Sequence, residues 1–269
     1  MSIALNRITI LFFAFFLFSG FGQEASGDNF LNESKINLDV TYASKYIGRR
    51  GVDYFGNGSA IHPNLSIDLG KTGLYIGTWA AIPIQKGCKD PFGDLCSKWV
   101  EYDTYAGYGK ALWKDEIFAT TFDLSYAYLY YPRQVSQDQQ SIGIKFSHPN
   151  LLPVIGASRP YPFWGSYYTW RTNNIGRNYR DFLLGIGYDI PVLSHTASTF
   201  VDVVYSDGVG GSINSRGITR IRTGVSTSYK LNGITFTPAL TYQSARKETN
   251  PAAWLESEFW FTLKVSLLQ

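Results

Sequence analysis

The chain has 269 residues, of which 45% are hydrophobic, 17% charged and 16% aromatic, with 26 glycines and a formal net charge of +3. This content of glycine and aromatic residues argues against a coiled coil or a helical bundle, and the apolar content argues against disorder. The small net charge and the lack of a Lys/Arg stripe argue against a nucleic-acid partner. The mean hydropathy of −0.11 is too low for a helical membrane protein. An exported all-β protein is the class that remains.

The N-terminal residues have the pattern of an export signal. Arg7 supplies the positive charge, and the apolar stretch 8–18 is too short to span a bilayer comfortably. Small residues follow, so we expect cleavage after residue 22 or as late as residue 27. An uncleaved membrane anchor is the alternative. We assign residues 1–22 to a signal peptide and 23–269 to one domain.

Beyond the signal, segments of about ten residues alternate apolar and polar side chains and are separated by turn residues, a pattern that predicts β-strands. In the fifth segment, Phe122 and Leu124 share one face while Asp123 and Ser125 share the other. The seventh segment is placed less closely, because three prolines interrupt it. Twelve strands are predicted: Ile36–Ile47, Ala60–Leu69, Leu74–Ile82, Trp99–Gly109, Phe118–Tyr130, Ser141–Ser147, one within Pro153–Trp170, Asp181–Ile190, Thr196–Tyr205, Ile218–Lys230, Ile234–Gln243 and Leu255–Leu267.

The predicted connections alternate between long and short along the chain. A bacterial outer-membrane barrel has short periplasmic turns and long extracellular loops, whereas a soluble sandwich has no reason to sort its loops in this way. We therefore predict a single antiparallel transmembrane β-barrel of about twelve strands, with ten or fourteen as alternatives. The short connections are 70–73, 110–117, 148–152, 191–196 and 231–233, and the long ones are 48–59, 83–98, 131–140, 171–180, 206–217 and 244–254.

In a membrane barrel one face of each strand contacts lipid and the other faces the interior of the barrel. In hydrocarbon every backbone N–H and C=O must be paired internally, which a closed barrel achieves, so its outer face is apolar and its inner face is free to be polar. Aromatic residues cluster near the predicted strand ends, as the interfacial girdles of membrane barrels require. The expected partners are outer-membrane lipid on the outside and small polar solutes on the inside.

The polar faces carry the candidate functional residues, since charged side chains along a pore set its selectivity. Arg220 and Arg222 are two residues apart on one strand and so form a local positive spot, with acidic residues facing them across the lumen. The alternative is that these charges pair with one another and plug a narrow barrel. The principal lumen-facing candidates are Arg220, Arg222, Asp123, Asp202, Glu101, Asp103, Glu256 and Glu258.

The two cysteines, Cys88 and Cys96, lie in one long loop. Because an exported chain meets an oxidising compartment, a disulfide between them is the natural expectation. A metal site with Asp90 and Asp94 is the alternative, although the stretch has neither CxxC spacing nor a nearby histidine. The chain has no Walker phosphate loop and no GxGxxG after a strand, so we expect no cofactor.

Three stretches carry a resemblance to a known family: SAIHPNLSIDLGKTGLYIGTW at 59–79, EYDTYAGYG at 101–109 and FDLSYAYLYYP at 122–132. They resemble the TorF-like porin family (Gcw_chp), a bacterial group of conserved hypothetical outer-membrane proteins. YIGRRG at 46–51 is similar to that family's Tyr–x–x–Arg–Gly element with one extra residue. The resemblance implies an outer-membrane barrel with a transport role and brings no catalytic residues to this chain.

Three functions are compatible with such a barrel. The first is a porin or channel for passive diffusion of small polar solutes. The second is an adhesin or structural barrel that binds a partner through loop aromatics such as Tyr54, Phe55, Phe92 and Trp254. The third is a lipid-modifying enzyme, for which His62 near Ser59 and Asn64 is the candidate. We expect the channel, and no enzymatic activity.

Overall fold

The computed structural model of the chain describes residues 34–49, 52–56, 58–85, 87–89, 95–134, 137–156, 158–172, 178–192, 195–208, 216–245 and 257–268. The predicted signal peptide and its cleavage site lie outside the described residues and stay predictions. No helix in the described part of the chain is long and apolar enough to cross a membrane.

The described residues form one sheet of thirteen antiparallel β-strands, which follow the alternating segments of the sequence. The strands are β1 Lys35–Ala43, β2 Ala60–Asp68, β3 Leu74–Pro83, β4 Glu101–Leu112, β5 Thr120–Tyr130, β6 Gln139–Ser147, β7 Tyr161–Arg171, β8 Tyr179–Val192, β9 His195–Ser206, β10 Gly217–Thr227, β11 Tyr229–Leu231, β12 Ile234–Ala245 and β13 Glu258–Leu268.

The sheet closes into a barrel. Consecutive strands pair from β1 to β10, β1 also pairs with β13, and β10 pairs with β12, so that no edge is left open. The short β11 continues the line of β10 along β12, so β10 and β11 together occupy one strand position in the barrel wall. We call each such position a stave. The predicted antiparallel barrel of twelve staves is therefore confirmed.

The outer surface of the barrel is apolar. Residues directly opposite in an antiparallel pair share a face, and Ile36 faces the same side as its partner Ile67. Both are exposed, as are Ile76 and Leu184, whose exposed fraction is 64%. Because large apolar side chains point outward along the staves, this surface faces lipid rather than water. The protein is thus a bacterial outer-membrane barrel, as predicted.

Aromatic side chains ring the outer surface near both ends. On neighbouring staves Tyr108, Phe122, Phe146 and Trp164 stack side by side toward the short-turn end, with ring centroids 5.6, 6.3 and 4.3 Å apart in turn. Such girdles mark the two lipid–water interfaces. Toward the long-loop end, the exposed outward rings include Tyr42, Tyr102, Tyr130, Tyr205 and Phe259.

Three predicted boundaries need correction. The first strand was predicted to end at Ile47, but β1 ends at Ala43, and residues 44–47 belong to the connection between β1 and β2. The turn predicted at 148–152 extends over 148–160, because Pro153 and Pro160 keep this stretch out of the ladder and β7 begins only at Tyr161. Phe118 was predicted inside a strand, yet β5 begins at Thr120, and Phe118 packs edge-on against Trp113 in the preceding turn.

Candidate functional site: the barrel lumen

The described part of the connection between β1 and β2, residues 44–49, 52–56 and 58–59, enters the barrel, and we call it the inserted loop. The Gly48 carbonyl accepts a hydrogen bond of 2.9 Å from Nη1 of Arg220 on β10. The Arg49 guanidinium carbon lies 3.8 Å from the ring centre of Tyr167 on β7. Since β7 is six staves from β1 in either direction around the barrel, the loop reaches across the lumen to the opposite wall.

The inserted loop is held by a small apolar core. Phe55 is fully buried together with Ala60, Ala81 and Cys96, and Trp79 packs against this group. Cys96 is disulfide-bonded to Cys88, as predicted, and both cysteines of the β3–β4 connection pack against Phe55 of the inserted loop or its core. Prediction from the sequence treated Tyr54 and Phe55 as exposed loop aromatics. This was wrong, because one is partly buried and the other fully buried in the core.

A carboxylate pair lies where the inserted loop meets β4. The Tyr46 hydroxyl donates a 2.5 Å hydrogen bond to Oε2 of Glu101, which is buried. Burial and the charge of Glu101 raise the pKa of Tyr46 well above its usual range, so the phenol keeps its proton. Asp103, two residues along the strand, lies close to Glu101, and Arg49 acts on both carboxylates electrostatically. Both predicted acids therefore border the inserted loop.

The two arginines singled out from the sequence have different surroundings. Arg222 makes a bidentate ion pair with Asp202 on β9, with N···O distances of 3.0 and 2.5 Å. Arg220 is 1% exposed, holds the inserted loop through Gly48, and lies near Asp181 and Asp202. A bulge at Thr219 sits beside it in the ladder. The positive spot predicted from spacing is thus largely neutralised at Arg222.

The remaining predicted acids are spread over the wall. Glu258 pairs with Lys45 of the inserted loop and accepts a 3.2 Å hydrogen bond from the Gln243 amide. Asp123 lies farther along, where its Oδ2 accepts a 2.7 Å hydrogen bond from the Tyr75 hydroxyl. Glu256 lies outside the described residues.

His62 does not have the setting that a lipid-modifying enzyme would need. Its ring stacks on Trp79, with centroids 5.0 Å apart and planes at 8°, and it also contacts the Tyr46 ring. The histidine is buried beneath the inserted loop. It therefore belongs to the loop's packing core and does not face the membrane rim.

On the lumen side of the wall, aromatic rings lie over glycines of the neighbouring strand. This feature was not predicted from the sequence. The end of the Tyr75 ring covers Gly107, directly opposite on β4, and the end of the Tyr105 ring covers Gly77, directly opposite on β3. A Cβ atom on Gly107 would lie 2.3 Å from Tyr75, and one on Gly77 would lie 2.4 Å from Tyr105. Four more opposite pairs repeat this arrangement: Tyr161–Gly187, Phe163–Gly185, Tyr167–Gly143 and Phe200–Gly224.

An open pocket of about 650 Å³ lies beside the turn between β2 and β3, at the short-turn end of the barrel. Its lining includes Lys35, Asp68, Lys71 and Tyr75. Within the described residues, no group of three or more His, Cys, Asp or Glu side chains is arranged to hold a metal ion.

The comparisons with known proteins agree with this architecture. Residues 32–148 match the model of a family described as "Bacterial protein of unknown function (Gcw_chp)". The resemblance predicted from the sequence is confirmed over that stretch. No curated protein matches the chain in sequence.

Solved porin structures resemble the barrel. The NanC porin superposes with a TM-score of 0.51 at 11% identity, over 85% of this chain and 98% of that one. An outer membrane channel from Pseudomonas putida F1 gives 0.49 at 9% identity, over 92% and 100%. The KdgM porin, solved in complex with disordered oligogalacturonate, gives 0.48 at 9% identity, over 86% and 97%. At such identities the NanC likeness bears on the fold, which is that of a porin-like barrel.

Proposed function

We propose that the protein is a passive channel for small polar solutes across the bacterial outer membrane. The observation that carries the proposal is the inserted loop, which crosses a polar lumen near its extracellular end. Twelve staves lie between the eight whose interior side chains alone can fill and the sixteen or more of wide aqueous channels. A loop across the lumen makes a constriction, and the solutes that pass are then limited in size.

The lining supports polar rather than apolar solutes. The lumen side of the wall carries both carboxylates and basic groups, and some of them are ion-paired, as at Arg222–Asp202 and Lys264–Asp39. Balanced charges give a wettable path without strong attraction to ions of one sign. We assign no catalytic role to His62 or to the carboxylates.

Reconstitution into a planar bilayer tests the channel. We expect discrete conductance steps, and we expect proteoliposomes to swell in small sugars and amino acids but not in large oligosaccharides. Protein-free vesicles carried through the same procedure are the control. An adhesin or structural barrel would show neither steps nor swelling, and that result would overturn the proposal.

A further inference from the structure

Six aromatic rings lie over opposite glycines, and three of them have a cationic side chain of the protein over the ring. Tyr75 and Tyr105 have a different neighbour. Arg49 lies over Tyr167, Lys145 over Phe163 and Arg222 over Phe200, at 3.8, 5.6 and 5.5 Å from the ring centres. Those rings already carry a cation from the protein itself. Tyr75 and Tyr105 instead pack edge-on against each other, with centroids 6.1 Å apart, and both are only partly buried.

The two tyrosines form a fixed platform, which we call the tyrosine wall. The hydroxyl end of each ring lies over the glycine opposite, and the planes of the two rings meet at 61°, so together they line an angled recess in the lumen wall. The hydroxyl of Tyr75 donates to Asp123 and that of Tyr105 donates to Oδ1 of Asn64, each at 2.7 Å. Rings anchored at both ends lose little conformational freedom when a ligand packs on them.

Polar groups with balanced charge surround the tyrosine wall. Asp68 lies opposite Lys35 in the β1–β2 register, and Asp123 lies opposite Lys145 in the β5–β6 register. Asn64 adds an amide with both donor and acceptor capacity. Lys71 also lines the pocket beside Tyr75, so carboxylates and ammonium groups both border the wall and neither sign of charge occurs there alone.

We propose that the tyrosine wall is a binding site for neutral pyranose sugars passing through the lumen. The face of an aromatic ring is negative, and the axial C–H groups of a pyranose are slightly positive, so the two pack face to face. The sugar hydroxyls then exchange hydrogen bonds with carboxylate, amide and ammonium groups at the edge of the platform. The pocket of about 650 Å³ that Tyr75 helps to line is large enough for one or two such rings.

This inference deepens the proposed channel function but is tested without it, by equilibrium binding to the detergent-solubilised protein. The probes are glucose, glucuronate and glucosamine, which share a pyranose ring and differ in charge. We expect saturable binding of glucose, with ring-proton saturation transfer in NMR. We also expect Tyr75→Ala and Tyr105→Ala each to weaken binding by about tenfold. Tyr75→Phe keeps the ring but loses the hydrogen bond to Asp123, so it should bind more weakly than the wild type and more tightly than Tyr75→Ala.

Tyr102→Ala is the matched control, because Tyr102 is on the same strand as Tyr105 but faces lipid. The absence of saturable glucose binding would overturn the inference, as would equal binding by the three alanine variants. If glucuronate or glucosamine bound ten times more tightly than glucose, the site would prefer a charged sugar, and the assignment to neutral sugars would be wrong. If the protein bound glucose but formed no conductance steps, the proposed channel function would be wrong and the proposed sugar site would stand.

Discussion

Glycine side by side with aromatic residues shapes the lumen at the level of single residues. Gly107 has no room for a side chain, since a Cβ atom there would lie 2.3 Å from Tyr75 and 2.7 Å from the Leu124 carbonyl. Gly109, two residues along the same strand, has its nearest neighbour at 3.5 Å. A Cβ atom at Gly107 would therefore clash with its neighbours, whereas one at Gly109 would make ordinary van der Waals contact.

Gly107→Ala should therefore destabilise the barrel by about 1–3 kcal/mol, because overpacking forces Tyr75 and the backbone apart. Gly109→Ala should leave stability unchanged within about 0.5 kcal/mol. The measurement is urea unfolding of the refolded protein in lipid vesicles, followed by tryptophan fluorescence. Equal stability of the two variants would contradict the close approach at Gly107.

The sequence predicted which residues share a face of each strand, but it did not predict that an aromatic residue lies opposite a glycine on the neighbouring strand. A period of two places Tyr75 and Gly77 on one face, and Tyr105 and Gly107 on one face. It does not say which residue lies opposite, which depends on the register between strands. The repeated spacing of Tyr and Gly in YIG at 75–77 and YAG at 105–107 was the available signal.

Among the elements, the strands were predicted well and the loops poorly, for a physical reason. Alternation along a strand reflects its local contact with lipid on one side and the lumen on the other. The inserted loop is rich in Gly, Arg and Tyr, a composition that suits an extracellular loop equally well. Its position follows from contacts with Arg220 and Tyr167, which are far away in sequence.

The disulfide within the loop between β3 and β4 contacts the inserted loop. Cys96 is fully buried against Phe55, and the bond to Cys88 closes a segment whose ends are eight residues apart. On the chain-entropy account, a link of this length is worth about 2–3 kcal/mol. Its loss should loosen both loops.

We expect the double variant Cys88→Ser/Cys96→Ser to lose near-ultraviolet circular dichroism from the Tyr46–Trp79 cluster and to be cleaved faster by protease in both loops. The barrel itself should remain folded, because its ladder does not depend on the pair. Wild-type protein treated with reductant is the positive control and should behave in the same way. Unchanged dichroism and cleavage in the variant would show that the disulfide does not hold the inserted loop.

At the scale of the whole molecule, the barrel and the inserted loop are two separate parts: the barrel encloses the lumen, and the loop crosses it. Arg220 links the two, since it is the wall residue that bonds to Gly48 in the loop. Arg222 has the same charge and faces the same interior, yet its partner is Asp202 on the wall. The two arginines therefore allow the effect of the loop to be separated from the effect of charge.

A hydrogen bond from a charged donor is worth about 1.5–3 kcal/mol, so Arg220→Ala should raise the population of the detached loop by about ten- to a hundredfold. We expect higher mean conductance and more open-channel noise in a planar bilayer. Arg222→Ala should leave conductance near the wild-type value and lower the unfolding free energy by about 1–3 kcal/mol, because Asp202, buried on the wall, loses its partner. Arg220→Lys tests whether a shorter donor keeps the loop in place. If both alanine variants change conductance equally, lumen charge rather than the loop controls the channel, and the constriction is wrongly assigned.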